Sequence, residues 1–312
     1  MLAPQLFSVA ALVFFFSFLI TPITIPLCRA LGAYDKPDGK RKINTLPTPR
    51  LGGLAFFAAF FIFAFPIAKQ DEFTAAILSA GSLLAAGGVA DDVFNLPPIF
   101  KLFIQTAVAI VTVSIAGAPS ALSFFGLFNV KLGAFAGASF AIFKMLFSAN
   151  AVNFSDGLDG LAGGLSAVAL LSLSVYGFMN SYTYPALSAI LLASAVLGFL
   201  PYNRYPAKTF MGDVGSQFLG FAIAVLSLGC AKNHAYTFET TLFLIIPALD
   251  TTLSVVRRLL KRKSPFSADK GHLHHILLKI GVSHPKAVKI LVFLNGAVAA
   301  VSLVILTHFG YS

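Results

Sequence analysis

Charged residues are scarce in this sequence, and acidic residues are the scarcest of all. Only 11% of the 312 residues are charged and only 12 are acidic, while 57% are hydrophobic. A soluble globular chain carries about 25% charged residues. The composition therefore excludes a soluble globular protein and predicts that the chain lies in a lipid bilayer.

Cysteine is nearly absent, and no linker, low-complexity tract or convincing internal repeat interrupts the chain. The topology derived below places Cys28 and Cys230 at opposite membrane faces, which excludes a disulfide and a paired-cysteine metal site. We therefore treat residues 1–312 as one integral membrane domain.

Hydrophobic stretches predict the membrane spans. The first 28 residues carry no charged side chain, which is too long an apolar run, and too bare at its start, for a cleaved signal peptide. Further spans, each long enough for a hydrocarbon core of about 30 Å, are predicted at 51–68, 73–90, 102–130, 132–155, 160–203, 214–231, 240–256 and 290–312. The stretch 160–203 holds two spans, with Asn180, Ser181 and Pro185 marking the turn between them. The prediction is an all-α polytopic membrane protein of about ten transmembrane helices.

Basic residues predict the orientation. If loops alternate sides from an external N-terminus, the loops 29–50, 91–101, 201–213 and 257–289 hold 18 of the 22 lysines and arginines. The positive-inside rule places these four loops in the cytoplasm. A net charge of +10 would suit nucleic acid, but the basic residues lie beside helix ends. We expect no nucleic-acid partner, but contact with membrane lipid or an anionic substrate.

Acidic residues gather on the same face, where nine of the twelve lie in cytoplasmic loops or at cytoplasmic helix ends. Asp91 and Asp92 end the third helix, and a solvated helix cap is the alternative reading for both. Asn153, Asp156 and Asp159 recur every three residues, so they share one face of a turn. Capping of the next helix is the alternative for the two aspartates.

Two further features complete this face. Asp213 opens another helix, either as an N-cap or as a ligand of a divalent cation, which prefers carboxylate and phosphate oxygens. The last cytoplasmic loop carries Arg257 and three histidines, His272, His274 and His275. Without cysteine, these side chains favour an anion over zinc, and a solvated basic loop is the alternative.

Five ordered motifs resemble the polyprenyl-phosphate N-acetylhexosamine-1-phosphate transferase superfamily. They are PTPRLGG at 47–53, DD at 91–92 with KLFIQ at 101–105, NFSDGLDG at 153–160, FMGDVGS at 210–216 and HLHH at 272–275. Members of the superfamily move a sugar-1-phosphate from a UDP-sugar to a lipid phosphate. The segment 264–275, with Asp269 three residues before His272, is similar to the branch that uses UDP-GlcNAc.

The resemblance implies an active site in a cleft at the cytoplasmic face of a bacterial inner membrane. Its expected substrates are UDP-GlcNAc and undecaprenyl phosphate, and its expected cofactor is Mg²⁺, for which Mn²⁺ could substitute. Asp213 would bind the metal. The catalytic groups would be Asp91, Asp92, Asp156, Asp159 and Lys101, and the substrate-binding groups Asn153, Arg257, His272, His274 and His275. A homodimer is left open.

Other functions are considered beside this one. A transferase acting on UDP-N-acetylmuramoyl-pentapeptide shares the same motifs. An ion-coupled transporter would also carry intramembrane carboxylates, but near the midplane beside broken helices. An arginine that CDP-alcohol phosphotransferases need after their Asp-Gly motif is missing after Gly160, and Asn95 stands where a prenyl synthase motif needs an aspartate.

Overall fold

The computed structural model describes residues 3–35, 47–124, 127–231, 235–262 and 271–309. The predicted motif residue Asp269 and the rest of 263–270 lie outside this part. The helices are α1 (Ala3–Leu31), α2 (Gly53–Ala68), α3 (Glu72–Phe94), α4 (Pro98–Ala116), α5 (Ala134–Ser155), α6 (Leu161–Met179), α7 (Thr183–Asn203), α8 (Gly212–Gly229), α9 (Ile245–Leu260), α10 (Leu273–Lys279) and α11 (His284–Phe309). The strands are β1 (Tyr34–Asp35), β2 (Thr48–Pro49), β3 (Ala121–Phe124), β4 (Phe128–Lys131) and β5 (Ala235–Thr237), and a 3-10 helix, Phe238–Leu244, leads into α9.

The predicted multi-span architecture is confirmed. Within the described residues, nine helices are long and apolar enough to cross a membrane, and the 3-10 helix and α9 together form one of them. The tenth predicted span, α2, is an apolar helix of 16 residues. At 1.5 Å per residue it is about 24 Å long, somewhat shorter than the hydrocarbon core.

The prediction of one span over 102–130 is wrong in its second half. Helix α4 ends at Ala116, and Gly117 takes a positive φ of 76°. The following residues form β3, which pairs antiparallel with β4 and parallel with β5. Hydropathy alone does not separate an apolar strand from an apolar helix, which is why the boundary was missed.

Two smaller differences concern connections. The turn predicted between the sixth and seventh spans lies at 180–182, where Ser181 has φ 63°. Pro185, predicted in this turn, instead lies in the first turn of α7, a position that suits proline because the first helical N–H groups have no partner. The last predicted loop also contains a short helix, α10, that the sequence reading did not anticipate.

Helix α8 lies at the centre of the bundle. In its span window 94% of the residues are buried, against 17% in α1. The ends of α3 and α5 both meet the start of α8, because Asp92 of α3 and Asn153 of α5 are hydrogen-bonded to its first turn. This region therefore gathers the residues that the sequence singled out.

Small residues let the central helices approach closely. The Cα of Gly88 in α3 lies against the backbone of Val214 in the first turn of α8, so that a Cβ at Gly88 would collide with it. Lipid tails are as apolar as leucine, so membrane helices associate through such packing. This contact fixes how near the end of α3 lies to the start of α8.

We predict that Gly88→Ala destabilises the protein by about 1–3 kcal/mol, the usual range for overpacking. The neighbouring Gly87→Ala is the matched control, because a Cβ there meets the side chain of Ile104 at 3.1 Å, which can shift more easily than a backbone. Thermal unfolding in detergent measures both variants. Equal midpoints for Gly88→Ala and Gly87→Ala would contradict the prediction.

Candidate active site

Three buried aspartates meet where α3 ends and α8 begins. Asp91 and Asp92 lie in the last turn of α3, which Asn95 ends with a left-handed φ of 53°. Asp213 lies in the first turn of α8. One carboxylate oxygen of each lies within 4.8 Å of the others, so these three residues could together hold a metal ion.

Asp92 joins the two helices. Its Oδ1 accepts a hydrogen bond from the backbone N–H of Asp213 at 3.1 Å, and its Oδ2 accepts one from Val214 at 3.1 Å. Arg50 Nη2 lies 3.2 Å from Asp92 Oδ1. A carboxylate at a helix N-terminus satisfies free N–H groups and is favoured by the helix dipole. Asp92 therefore supports the site. Arg50 is not among the site residues predicted from the sequence, where it appears only as part of the motif 47–53.

Lys101 lies between the other two carboxylates. Its Nζ is 2.6 Å from Asp91 Oδ2 and 2.8 Å from Asp213 Oδ2. The second oxygen of Asp91 accepts a hydrogen bond from Leu96 N at 2.8 Å. Two carboxylate oxygens thus converge on one positive charge, and such a donor set fits Mg²⁺, which usually takes one or two carboxylates together with substrate oxygens.

The motif 153–160 divides its polar residues between two tasks. Asn153 Nδ2 donates to Asp213 Oδ1 at 3.1 Å and to Ser216 Oγ at 2.8 Å, so this residue joins the carboxylate cluster. Its expected substrate-binding role stays a prediction. Asp159 Oδ2 accepts from Ala207 N at 2.9 Å, and Asp159 N donates to His284 Nε2 at 2.9 Å. Asp159 therefore holds the loops around the site together.

Asp156 has a different environment from Asp159. Within the part of the chain that the structure describes, its carboxylate forms no hydrogen bond and no ion pair. Burial raises the pKa of Asp156 well above its ordinary value of 3.8, and the negative charges of Asp213 and Asp92 act in the same direction. Asp156 is thus the carboxyl group of the site that is available to a ligand or a proton.

The histidine cluster is buried against the rest of the site. His272 Nδ1 lies 2.9 Å from Asp250 Oδ2, and Asp250 Oδ1 accepts from Leu273 N at 2.8 Å. His274 packs on the Cα of Gly157, where a Cβ would collide with its ring. Asp250 is not among the site residues predicted from the sequence, although an aspartate inside an otherwise apolar stretch was the available signal.

Arg257 lies beside this cluster on the last turn of α9. Its Nη2 donates to Ser254 Oγ at 2.9 Å, and Ser254 Oγ lies 3.3 Å from His272 Nδ1. The ring centroids of His274 and His275 are 4.3 Å apart. The structure therefore brings all the predicted basic and histidine groups of this loop together.

A model of glycosyl transferase family 4 matches residues 74–231, which include the carboxylate cluster, Lys101 and the motif 153–160. The chain belongs to this family. The histidine cluster and Arg50 lie outside the matched residues, so for them the family match adds nothing to the geometry.

Three bacterial relatives are similar over most of their length. A probable undecaprenyl-phosphate N-acetylglucosaminyl 1-phosphate transferase of Bacillus subtilis is 34% identical over 92% of this chain and 81% of the relative. A decaprenyl-phosphate N-acetylglucosaminephosphotransferase of Mycobacterium tuberculosis is 33% identical over 88% and 76%. An undecaprenyl-phosphate alpha-N-acetylglucosaminyl 1-phosphate transferase of Escherichia coli is 30% identical over 93% and 81%. The present chain, with its long apolar helices and its bacterial relatives, is a multi-pass bacterial membrane protein.

His274 generates a prediction on pH. Burial lowers the pKa of His274 from its ordinary 6.5 to about 3, and the neighbouring His275 acts in the same direction. Because the folded pKa is depressed, the stability due to neutral His274 is complete above 6.5 and is lost as the pH falls towards 3. We expect thermal unfolding to show a larger loss of stability between about pH 7.5 and about pH 5 in the wild type than in His274→Gln. An equal loss in both proteins would contradict this.

Proposed function

We propose that this protein transfers N-acetylglucosamine-1-phosphate from UDP-GlcNAc to undecaprenyl phosphate and releases UMP. The observation that carries the proposal is the position of Lys101 between Asp91 and Asp213, where α3 ends and α8 begins. The relatives described above are named for transfer of the same sugar phosphate to a polyprenyl phosphate.

The reaction joins two anions. An oxygen of the lipid phosphate forms a bond to the sugar-linked phosphorus of UDP-GlcNAc, while the bond from that phosphorus to UMP breaks and UMP leaves as an anion. Catalysis of this type depends mainly on positioning and on neutralising charge. The site must therefore hold cationic groups near both phosphates.

The cluster as it stands has one net negative formal charge, because Arg50 and Lys101 balance two of the three aspartates. A bound Mg²⁺ would supply the missing positive charge for a diphosphate, and Asp213 and Asp91 are the residues that would hold it. Lys101, with a side chain that is 31% exposed, is the mobile cation that can turn towards a phosphate. Asn153, which donates to Asp213 Oδ1, holds Asp213 in place when Lys101 turns away.

Asp91 is the expected base on the lipid phosphate, but a phosphate near neutral pH is already largely ionised. The proton requirement is therefore small. Asp156, whose pKa is raised, holds a proton to higher pH than an exposed aspartate does. Asp156 is therefore a candidate proton carrier, and Asp91, which contacts Lys101, is placed to hold a cation.

The histidine cluster is proposed to hold the nucleotide. Because Asp250 takes Nδ1 of His272, the Nε2 of His272 is the nitrogen left for a ligand. His274, with a pKa of about 3, is neutral and acts through hydrogen bonds rather than charge. Arg257 supplies the positive charge of this part of the site.

The orientation with an external N-terminus and a cytoplasmic site is supported by the distribution of the basic residues along the sequence, since the loops that follow α3 and precede α8 belong to the set richest in lysine and arginine. UDP-GlcNAc does not cross membranes, so sealed inside-out vesicles should consume it from outside. An ion-coupled transporter is less well supported, because the carboxylates lie at helix ends and not at the midplane.

We predict that purified protein with UDP-GlcNAc, undecaprenyl phosphate and Mg²⁺ releases UMP, and that omission of the lipid abolishes the release. Asp213→Asn conserves volume but removes a charge from the proposed metal site, so we expect a loss in kcat/KM of about a hundredfold or more. Retained activity with an unchanged Mg²⁺ optimum would remove Asp213 from the metal site and favour Asp156 or Asp159.

Donor choice gives a separate prediction. A site closed around the acetamido and hydroxyl groups of GlcNAc leaves buried polar groups unpaired when another sugar binds, which discriminates by about a hundredfold or more. We expect UDP-GlcNAc to outcompete UDP-N-acetylmuramoyl-pentapeptide at equal concentration, as measured by the lipid products. Preferential formation of lipid-linked muramoyl-pentapeptide would move the protein to the other branch while leaving the site chemistry intact.

A further inference from the structure

A chain of three carboxamides leads from Asp213 into the helix bundle. Gln217 Nε2 donates to Asp213 Oδ2 at 2.7 Å. Gln217 Oε1 accepts from Gln105 Nε2 at 3.0 Å, and Gln105 Oε1 accepts from Asn150 Nδ2 at 2.8 Å. None of these three residues has a role in the function proposed above. We call them the amide chain.

The amide chain has a single direction. An ionised carboxylate only accepts hydrogen bonds, so Gln217 must present its NH₂ group to Asp213. Its carbonyl oxygen then faces Gln105 and must accept, which in turn sets the orientation of Gln105 and then of Asn150. Asn150 Nδ2 also donates to the carbonyl of Leu146 at 2.8 Å, so the far end of the chain is anchored to a helix backbone.

The amide chain lies one helical turn behind the proposed catalytic groups. Gln105 follows Lys101 by four residues on α4, and Gln217 follows Asp213 by four residues on α8. Residues four apart lie on the same side of a helix. The amide chain therefore connects the face of α4 that carries Lys101 with the face of α8 that carries Asp213.

Burial makes these contacts hard to exchange. Gln105 and Gln217 are each only 4% exposed, and a buried amide without a partner is costly in an apolar environment. Lys101, by contrast, is partly exposed and reaches the same oxygen of Asp213 at 2.8 Å. Asp213 Oδ2 thus accepts from the buried amide of Gln217 on one side and contacts the partly exposed ammonium group of Lys101 on the other.

We propose that Gln217, oriented by Gln105 and Asn150, is a positioning residue for Asp213. It holds the carboxylate so that the free side of Oδ2 faces Lys101 and the cation that the proposed function requires. The inference rests on that proposed function for the identity of the reaction, but the positioning of Asp213 can be measured without turnover.

A purely structural role is the alternative, since amides also hold membrane helices together. Asn295 offers a matched control for that role. It is fully buried in α11, donates to the carbonyl of Phe243 at 2.9 Å and accepts from Ile246 N at 3.2 Å. These two hydrogen bonds connect α11 to the segment around the start of α9, and neither of them involves Asp91, Asp92 or Asp213.

The experiment compares Gln217→Met, Gln105→Met and Asn295→Leu in the full-length protein in detergent. Three quantities are measured: Mn²⁺ affinity from the electron paramagnetic resonance signal of free Mn²⁺, kcat and KM for UDP-GlcNAc, and the thermal unfolding midpoint. For Gln217→Met we expect Mn²⁺ affinity to fall by about 10–100-fold, as for other residues that orient metal ligands. A fall in kcat without a change in KM should accompany it.

Gln105→Met should show a smaller loss of Mn²⁺ affinity of the same kind, because it acts on Asp213 only through Gln217. Asn295→Leu should lower the unfolding midpoint and leave Mn²⁺ affinity unchanged. The proposal is overturned if both glutamine variants lower the midpoint as Asn295→Leu does while binding Mn²⁺ as the wild type does.

The same three variants also decide the outcome if Gln217→Met misfolds or if the proposed reaction is not observed. If Gln217→Met does not fold, Gln105→Met decides, because its side chain does not touch Asp213, and unchanged Mn²⁺ affinity there overturns the proposal. If the wild type binds Mn²⁺ but fails to release UMP from UDP-GlcNAc, the proposed function fails, while the comparison of Mn²⁺ affinities still tests the positioning of Asp213.

Discussion

Balance of charge in a nearly dry environment is the constraint on which this structure depends. Three aspartates lie within reach of one another at the end of a membrane bundle, and like charges at such distances repel strongly where water is scarce. Arg50 and Lys101 compensate two of them. Arg50 lies in the connection between β2 and α2, and Lys101 lies in α4. The site therefore exists only when the N-terminal half of the chain and α8 are packed together.

Asp92 shows how the fold and the site share the same residues. It closes the N-terminus of α8 through two backbone N–H groups, and it does so because the small residue Gly88 lets α3 approach that turn. The carboxylate thus replaces the side-chain cap that α8 lacks from its own sequence. Loss of Asp92 would therefore affect both packing and chemistry, which makes it a poor probe of catalysis alone.

Much of this arrangement could be read from the sequence, for definite physical reasons. Long apolar runs indicate membrane spans because the bilayer excludes charge. Acidic residues are rare in this chain, so a cluster of aspartates at one face indicates a functional site. The motif around Asn153 and the single Asp213 were found in this way. Residues 102–130 were misread because hydropathy carries no information on whether an apolar segment is helix or strand.

Partnerships between distant residues could not be read from one sequence. The pair of Asp250 and His272 joins positions 22 residues apart, and no local periodicity predicts it. The neutral state of His274 depends on burial beneath Gly157, which only packing reveals. The amide chain was likewise hidden, because glutamine and asparagine in an apolar helix give no sign of which neighbour each one faces.

The short helix α2 has a consequence for the membrane around the protein. With 16 residues, it is about 6 Å shorter than a hydrocarbon core of about 30 Å. A span shorter than the hydrocarbon core is accommodated by local thinning of the bilayer or by flanking side chains that reach the interface, at a modest free-energy cost for each ångström. Gly53 at the start of α2 lies against Gly215 in the first turns of α8, so any thinning of the bilayer beside α2 occurs next to the helix that carries Asp213.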